Sequence, residues 1–242
     1  MSNSSNFQEA IRKAQQSALV GPNVIQKALP FVGIGLVLTA LGSWGGLGVM
    51  EHYEGIYAPT IIGAILVELA LFFVAQSVAA KGNNTAALPL LATYSLLSGY
   101  TLSGLIYYAM STPGVGMQGI GIAALSCGLT FVAARSVGSN LSEEDGFALT
   151  STIRLGVIAL VVVLLLQVGL GFFGVITPSW LEIAISGIGV LLFVGSAVVD
   201  FFVLPRTYAD EQYLPAALSM YLTYINLFIF ILRFMIALNS RD

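Results

Sequence analysis

The sequence predicts an all-α integral membrane protein with seven transmembrane helices, and two properties of the chain support this prediction. Hydrophobic residues make up 57% of the 242 residues and charged residues only 9%, which is more apolar surface than a water-soluble domain of this size needs. The apolar residues also form seven long unbroken runs, whereas a β-barrel would show short alternating segments. A run of about 20 residues is long enough to cross a hydrocarbon core of about 30 Å as a helix.

The first 28 residues are polar and lack the apolar core of a cleavable signal peptide. Asn6 and Glu9 have the spacing of a capping box, and the apolar residues that follow share one face of a helix. This pattern predicts a short amphipathic helix at the membrane surface. The chain therefore divides into an N-terminal segment, residues 1–28, and a transmembrane domain, residues 29–242.

The first three spans are separated by short polar links. They cover about 29–50, 58–80 and 86–109. Gly42 and Gly46 in the first span form a small-xxx-small pair, which favours close helix packing. A link that begins at Glu51 precedes the second span, which contains Glu68 near its middle, and the polar turn 81–85 precedes the third.

The last four spans are bounded by glycine, proline or acidic residues. They cover about 117–138, 152–174, 181–204 and 214–237. Gly114 and Gly116 mark the turn before the fourth span, and an acidic loop around Glu144 is predicted before the fifth. Pro178 separates the fifth and sixth spans, and Pro205 ends the sixth.

The distribution of basic residues predicts a cytoplasmic N-terminus, with the C-terminus across the membrane. With that orientation, seven lysine and arginine residues lie at the inner side and two at the outer side. The inner ones are Arg12, Lys13, Lys27, Lys81, Arg135, Arg154 and Arg206, and the outer ones are Arg233 and Arg241. Seven against two is a clear positive-inside bias.

The last span carries a row of polar side chains on one helical face. Thr223, Asn226 and Arg233 form this row, with Phe230 between them. A helix surrounded by lipid has no use for such a row, because unpaired polar groups cost free energy in hydrocarbon. The span is therefore predicted to lie inside the bundle. Two uses of the row remain open, which are hydrogen bonding between helices and lining of an ion pathway.

Two carboxylates, Glu68 and Asp200, are candidates for function within the spans, where ionisable groups are rare. Glu68 is placed roughly 15 Å from either face, and Asp200 about one turn from the inner end of the sixth span. Such groups suit a proton- or calcium-coupled pathway. The structural alternatives are an ion pair of Asp200 with Arg206, and a hydrogen bond of Glu68 with Asn226 or with a Ser or Thr of a neighbouring helix.

The sequence contains no catalytic motif, so we predict no enzyme, no cofactor and no firm metal site. His52 and Cys127 are the only histidine and cysteine, and GxSxG, HExxH and P-loop motifs are absent. An aspartyl intramembrane protease needs two aspartates in its spans, and only Asp200 is present. The scattered basic residues argue against nucleic acid. Arg206 and Arg233 are predicted to be interfacial, with the charge of Arg233 snorkelling outward.

Four segments resemble the transmembrane Bax inhibitor motif family, in its bacterial form. The resemblance covers roughly residues 60–237. The most specific segment is ALSMYLTYINLFIFILRFM at 217–235, and the others are ILVELALFF at 65–73, LSGYTLSGL at 97–105 and VGSAVVDFFVL at 194–204. It implies a seven-helix bundle in which a central last helix is wrapped by the other six. It also implies a bacterial inner membrane, or an internal membrane such as the thylakoid.

Members of this family are described as pH-sensitive calcium leak channels and, in animals, as suppressors of cell death; a bacterial branch modulates a membrane-bound AAA protease. Channel-type members pair an aspartate of the sixth span with one of the last helix as a latch. Asp200 matches the first position, but Thr223 occupies the second, in YLTYINLF where the family shows YLDxINLF. Because threonine cannot share a proton as a carboxylate does, the resemblance implies an incomplete latch.

Two functions follow from the sequence. The first is a pH-influenced cation (calcium) leak channel, with Glu68 and Asp200 on the path, Thr223 at the altered latch and Asn226 lining it. The second is a non-conducting regulatory, assembly or scaffold protein that binds a membrane protease or a larger membrane complex through glycine-rich faces. The expected partners are the lipid bilayer, calcium ions or protons, and such a protease or complex.

Overall fold

The computed structural model describes residues 19–175 and 177–240, and all regular secondary structure in these two ranges is α-helical. The helices are α1 Val24–His52, α2 Glu54–Lys81, α3 Asn84–Ser111, α4 Gly116–Gly138, α5 Glu143–Phe172, α6 Ser179–Thr207 and α7 Tyr213–Asn239. Each helix corresponds to one of the apolar runs. The amphipathic helix predicted around Asn6 and Glu9 lies outside the described residues.

Two predicted boundaries are wrong. Pro205 does not end the sixth span, because α6 continues to Thr207. The acidic residues before the fifth span belong to the helix. α5 begins at Glu143 and carries Glu143, Glu144 and Asp145 in its first turn. Ser142 caps this turn, since its hydroxyl oxygen accepts a hydrogen bond from the Asp145 backbone N–H at 3.1 Å. Negative charge at a helix N-terminus also interacts favourably with the helix dipole. The acidic stretch is thus a helix start rather than a loop.

Six of the seven helices are long and apolar enough to cross a membrane by length and composition, and α3 is the exception among the described helices. α3 carries serine, threonine and tyrosine along much of its length. Several of its hydroxyl side chains, including Ser95, Ser98 and Ser103, are buried against other helices. The protein is therefore a multi-pass helical membrane protein in which the least apolar helix turns its polar side chains inward.

The last helix is the most deeply buried of the six apolar helices. More than half of its most apolar window, 56%, is buried, against 33% or less for the other five. α7 packs against α1, α2, α3, α4 and α6. Its fully buried side chains include Leu218, Tyr221 and Leu227, and Thr223 is also buried. The polar row thus lies on a helix that other helices contact on several sides.

α1 and α3 cross with their backbones in direct contact. A Cβ atom added to Gly42 would clash with the carbonyl oxygen of Leu96, and one added to Gly99 would clash with the carbonyl oxygen of Thr39. The Ser43 hydroxyl donates to the Gly99 carbonyl at 2.9 Å across the same crossing. Glycine therefore serves close helix packing here, as small residues do in membrane proteins generally.

This crossing predicts different effects for alanine at two neighbouring glycines of α1. Gly42→Ala should destabilise the protein by roughly 1–3 kcal/mol, because the Leu96 backbone cannot move aside. Gly45→Ala should be neutral or slightly stabilising, since a Cβ there meets no atom within 4 Å. Thermal unfolding of the detergent-solubilised variants measures the difference, at about 2–4 °C for each kcal/mol. Equal midpoints for the two variants would contradict the contact.

Candidate functional site

Asp200 is a buried carboxylate that faces α7 from α6. Only 8% of its surface is exposed. The Ser219 hydroxyl donates to Asp200 Oδ1 at 3.2 Å, and Thr223, one turn further along α7, lies close enough to interact with the same carboxylate. Asp200 Oδ2 is buried without a hydrogen-bond partner among the described residues. Because an unpaired buried oxygen costs free energy, Oδ2 can accept a further donor or a cation.

The ion pair between Asp200 and Arg206, considered from the sequence, is not formed. Arg206 Nη1 donates to the backbone carbonyl of Phe202 at 2.7 Å, and its guanidinium lies 4.0 Å from the centre of the Phe202 ring. Side chains six residues apart in one helix point to different faces, which explains the separation. Arg206 therefore covers the end of α6 and leaves Asp200 without a countercharge from that direction.

A cavity of about 240 Å³ lies between α2, α5, α6 and α7, next to the residues that contact Asp200. Its polar lining comes from Ser219, Thr223 and Asn226 of α7 and from Ser196 of α6. Asn226 Nδ2 donates to the Leu222 carbonyl of its own helix at 2.8 Å, so this bond does not join two helices. Phe230 lines the same cavity. Two polar members of the predicted row, Thr223 and Asn226, therefore face one cavity together with Phe230.

Glu68 lies at a different interface from Asp200. Its Oε2 accepts a hydrogen bond from the Thr101 hydroxyl of α3 at 2.6 Å, and Tyr94 and Tyr221 are within electrostatic range. The partner is thus a threonine of a neighbouring helix and not Asn226. In the described part of the chain, Glu68 has no ion-pair partner, and it does not line the cavity beside Asp200. The structure therefore separates the two carboxylates that the sequence places within the spans.

Arg233 is held by an ion pair instead of snorkelling freely. Its Nη2 and Nε lie 2.7 Å and 2.9 Å from Oε1 of Glu182, and both side chains are about three-quarters buried. Gln167 Nε2 of α5 donates to the other oxygen of Glu182 at 3.2 Å. This cluster joins α5, α6 and α7 and neutralises both charges. Glu182 was not predicted as a site residue, although its position four residues after Pro178, in the first turn of a span, could have indicated an ion-pair partner.

The loop between α6 and α7 is fastened at the end of the bundle where α1 begins, here called the N-side. Asp210 accepts hydrogen bonds from Asn23 N and Nδ2 at 2.8 Å and 3.0 Å, and Lys27 Nζ lies 3.9 Å away. The Asn23 side chain, with Lys27, holds the pKa of Asp210 below its usual value. The Gly21 amide donates to the Pro205 carbonyl of α6 at 3.0 Å. The start of α1 is therefore attached to the end of α6.

The same loop also contacts the turn between α2 and α3. Gln212 Nε2 donates to the Gly82 carbonyl at 3.3 Å, and Asn84 Nδ2 donates to the Glu211 carbonyl. Tyr208, the first residue after α6, is buried, and burial together with the charge of Asp200 raises the pKa of its phenol. Tyr208 is therefore close enough to Asp200 to be affected by its charge.

No group of three or more His, Cys, Asp or Glu residues that could hold a metal ion occurs in residues 19–175 and 177–240. Asp200 supplies one carboxylate, and the hydroxyls and amide of α7 supply neutral oxygen atoms nearby. High-affinity calcium sites use six to eight oxygen ligands with several carboxylates. The arrangement therefore suits brief contact with a cation or a proton better than tight binding.

Known proteins are similar to this chain over most of its length. A family model described as "Inhibitor of apoptosis-promoting Bax1" matches residues 21–241, which include all seven helices. An uncharacterized membrane protein of Streptococcus pyogenes serotype M1 is 32% identical over 223 residues, covering 86% of this chain and 89% of that protein.

Two relatives that carry specific protein names match this chain over shorter segments. Bax inhibitor 1 of Schizosaccharomyces pombe is 34% identical over 71 residues, 29% of this chain and 27% of that protein. Protein lifeguard 4 of Mus musculus is 36% identical over 61 residues, 25% of this chain and 26% of that protein.

Proposed function

This chain belongs to the Bax inhibitor family, and from that membership we propose that it is a cation leak channel that passes calcium. The observation that carries the proposal is the buried Oδ2 of Asp200, which has no hydrogen-bond partner among residues 19–175 and 177–240 and lies beside a cavity with polar lining. A carboxylate without a countercharge at bilayer depth is costly, and such groups usually serve transport of ions or protons. Calcium prefers oxygen ligands, which are the polar atoms that this site offers.

In the proposed mechanism, Asp200 attracts the cation and the α7 side chains replace part of its water shell. The hydroxyls of Ser219 and Thr223 and the amide oxygen of Asn226 would provide neutral ligands along one helix. A single charge with neutral neighbours binds weakly, and conduction requires an ion to leave as readily as it enters. Glu68, which also lacks an ion-pair partner in the described part of the chain, would act as a second acidic position on the α2–α3 side.

The latch proposed for this chain contains one carboxylate instead of two. Thr223 interacts with Asp200, and this contact supports the proposal that the two latch positions, on α6 and α7, face each other. Two adjacent carboxylates hold one proton between them and so respond to pH near neutrality. With threonine in the second position, we propose a weaker dependence of flux on pH than in members with both aspartates.

We also propose that all seven helices cross the membrane, with α7 at the centre and the N-side in the cytoplasm. The inward-facing hydroxyls of α3 support its assignment as a span, because a helix covered by other helices needs less apolar surface. The seven-to-two distribution of basic residues supports the orientation.

The alternative function is a non-conducting assembly partner, and the exposure of α5 favours it. α5 packs mainly against α6, and only 6% of its most apolar window is buried. A large apolar face of this kind contacts lipid or another membrane protein. Calcium flux into liposomes that contain the purified protein decides between the two functions. Absence of flux at every pH would overturn the channel proposal and leave the assembly role.

The orientation predicts opposite labelling of two new cysteines after Cys127 is replaced. Ser139, between α4 and α5, is exposed at the N-side, and Ser240 follows α7 at the other end. A membrane-impermeant thiol reagent added to intact cells should label Ser240→Cys and leave Ser139→Cys unlabelled until the cells are opened. The reverse pattern would invert the orientation, and labelling of both from outside would contradict the odd number of spans.

Glu68→Gln tests the proposed second acidic position. It removes a charge within the span at nearly constant volume, so it should lower calcium flux severalfold while changing the unfolding midpoint little. Thr101→Val is the matched control, because it removes the hydrogen-bond donor and keeps the charge. If Glu68 acts only through Thr101, both variants will lower stability alike and neither will change flux per folded protein.

Thr223→Asp tests the latch. Flux through the variant should change more with pH near neutrality than flux through the wild type, because two adjacent carboxylates then share one proton that is released near neutrality. Flux measured against pH for wild type, Thr223→Asp and Asp200→Asn gives the comparison. Steep gating by the wild type that persists in Asp200→Asn would place the pH switch elsewhere in the protein.

A further inference from the structure

A chamber and a groove that the proposed pathway does not use meet at the end of α1. The chamber has a volume of about 990 Å³ and lies at the C-side of the bundle, defined here as the end that carries Asn239 and the ends of α1 and α3. The groove has a volume of about 430 Å³ and runs between α1 and α4, with α3 and α7 as its floor. Trp44, Leu47 and Met110 line both spaces. The two spaces therefore adjoin along these three side chains.

The groove presents an apolar surface, even though hydroxyl groups occur along it. The Thr39 hydroxyl bonds to the Gly35 carbonyl at 3.0 Å and to the Tyr221 hydroxyl at 2.6 Å. The Ser43 hydroxyl donates to the Gly99 carbonyl. Because these polar atoms already have partners, a molecule in the groove meets mainly aliphatic and aromatic carbon. The groove suits a hydrocarbon chain.

The chamber has a different chemistry, with one carboxylate and several aromatic rings. Glu51, Tyr57 and Tyr107 line it together with Trp44 and His52. No lysine or arginine occurs among the lining residues that the structure describes. Carboxylates attract ammonium groups, and tryptophan and tyrosine rings bind them by cation–π interaction. The charge and the rings therefore favour a cationic amine over a phosphate-only head group.

The boundary between the two chemistries lies at Trp44, which is 76% exposed. Tryptophan and tyrosine are enriched where lipid head groups meet acyl chains. Leu36, at the deep end of the groove, lies about two turns before Trp44, or roughly 12 Å further along α1. The order of head-group chamber, aromatic boundary and apolar groove matches the order of groups along a lipid molecule.

We propose that this site binds one membrane lipid with a primary ammonium head group, of the phosphatidylethanolamine type. The ammonium group lies in the chamber against Glu51 and the aromatic rings. One acyl chain runs past Trp44 into the groove between α1 and α4. The phosphate stays at the water-exposed mouth of the chamber.

Tryptophan quenching by brominated lipids tests the site without any measurement of transport. The chain has two tryptophans, Trp44 and Trp180, so Trp180→Phe leaves Trp44 as the reporter. The protein is placed in bilayers of phosphatidylethanolamine and phosphatidylglycerol, with bromine on the acyl chains of one lipid at a time. We expect a roughly fivefold preference for phosphatidylethanolamine at Trp44, as one exposed ion pair added to one cation–π contact would give.

Two pairs of variants assign this preference to the chamber and to the groove. Glu51→Gln removes the ion pair and keeps the cation–π contact, so it should reduce the preference to about twofold. Glu144→Gln, which removes an exposed carboxylate at the N-side, should keep the roughly fivefold preference. Ala40→Phe fills the groove and should abolish the preference. Ala70→Phe, which adds the same bulk on an exposed face of α2, should leave the preference unchanged.

Three outcomes would overturn the proposal. Equal quenching by the two lipids in the wild-type background would mean that Trp44 meets only surrounding bulk lipid. A preference for phosphatidylglycerol would contradict the charge of the chamber. A roughly fivefold preference that is unchanged in both Glu51→Gln and Ala40→Phe would place the bound lipid elsewhere on the protein.

Discussion

Polar groups at bilayer depth must find partners inside the protein, and this constraint determines how α1, α3 and α7 are arranged. The glycine crossing of α1 and α3 brings their hydroxyls close to the neighbouring helices. Thr39 reaches Tyr221 of α7 at 2.6 Å, and Ser43 reaches the Gly99 carbonyl at 2.9 Å. The least apolar helix can therefore lie within the bundle without unpaired groups. The packing of the last helix depends on this crossing.

Against this background, Asp200 stands out because one of its oxygens has no partner in the described part of the chain. The other carboxylates within the helices have partners. Glu182 is paired with Arg233 and accepts a hydrogen bond from Gln167, and Glu68 accepts a hydrogen bond from the Thr101 hydroxyl. Paired groups of this kind stabilise helix contacts, whereas an unpaired buried oxygen usually persists because function requires it. This contrast is the reason that the proposed conducting site is placed at Asp200.

Much of the fold could be predicted from the sequence, because long apolar runs locate helices directly. The start of α5 was also readable, since Ser142 precedes Asp145 by the spacing of a helix cap. The ion pair of Asp200 with Arg206, one of the alternatives that the sequence left open, does not form because side chains six residues apart in one helix lie on different faces. The pair Glu182–Arg233 and the cavity beside Asp200 could not be predicted, because they depend on how distant helices are rotated against each other. The partner of Glu68 could not be predicted for the same reason. The sequence gives the position of Glu68 along its span, but not that it faces Thr101 of α3.

The attachment of Gly21 to Pro205 has a mechanical consequence. This hydrogen bond, 3.0 Å long, joins the beginning of α1 to the end of α6, about one turn beyond Asp200. Asp210 reinforces the joint through Asn23. The start of α1 and the end of α6 are therefore coupled through a backbone hydrogen bond as well as through side chains. A displacement of residues 21–23 would shift the end of the helix that carries the buried carboxylate.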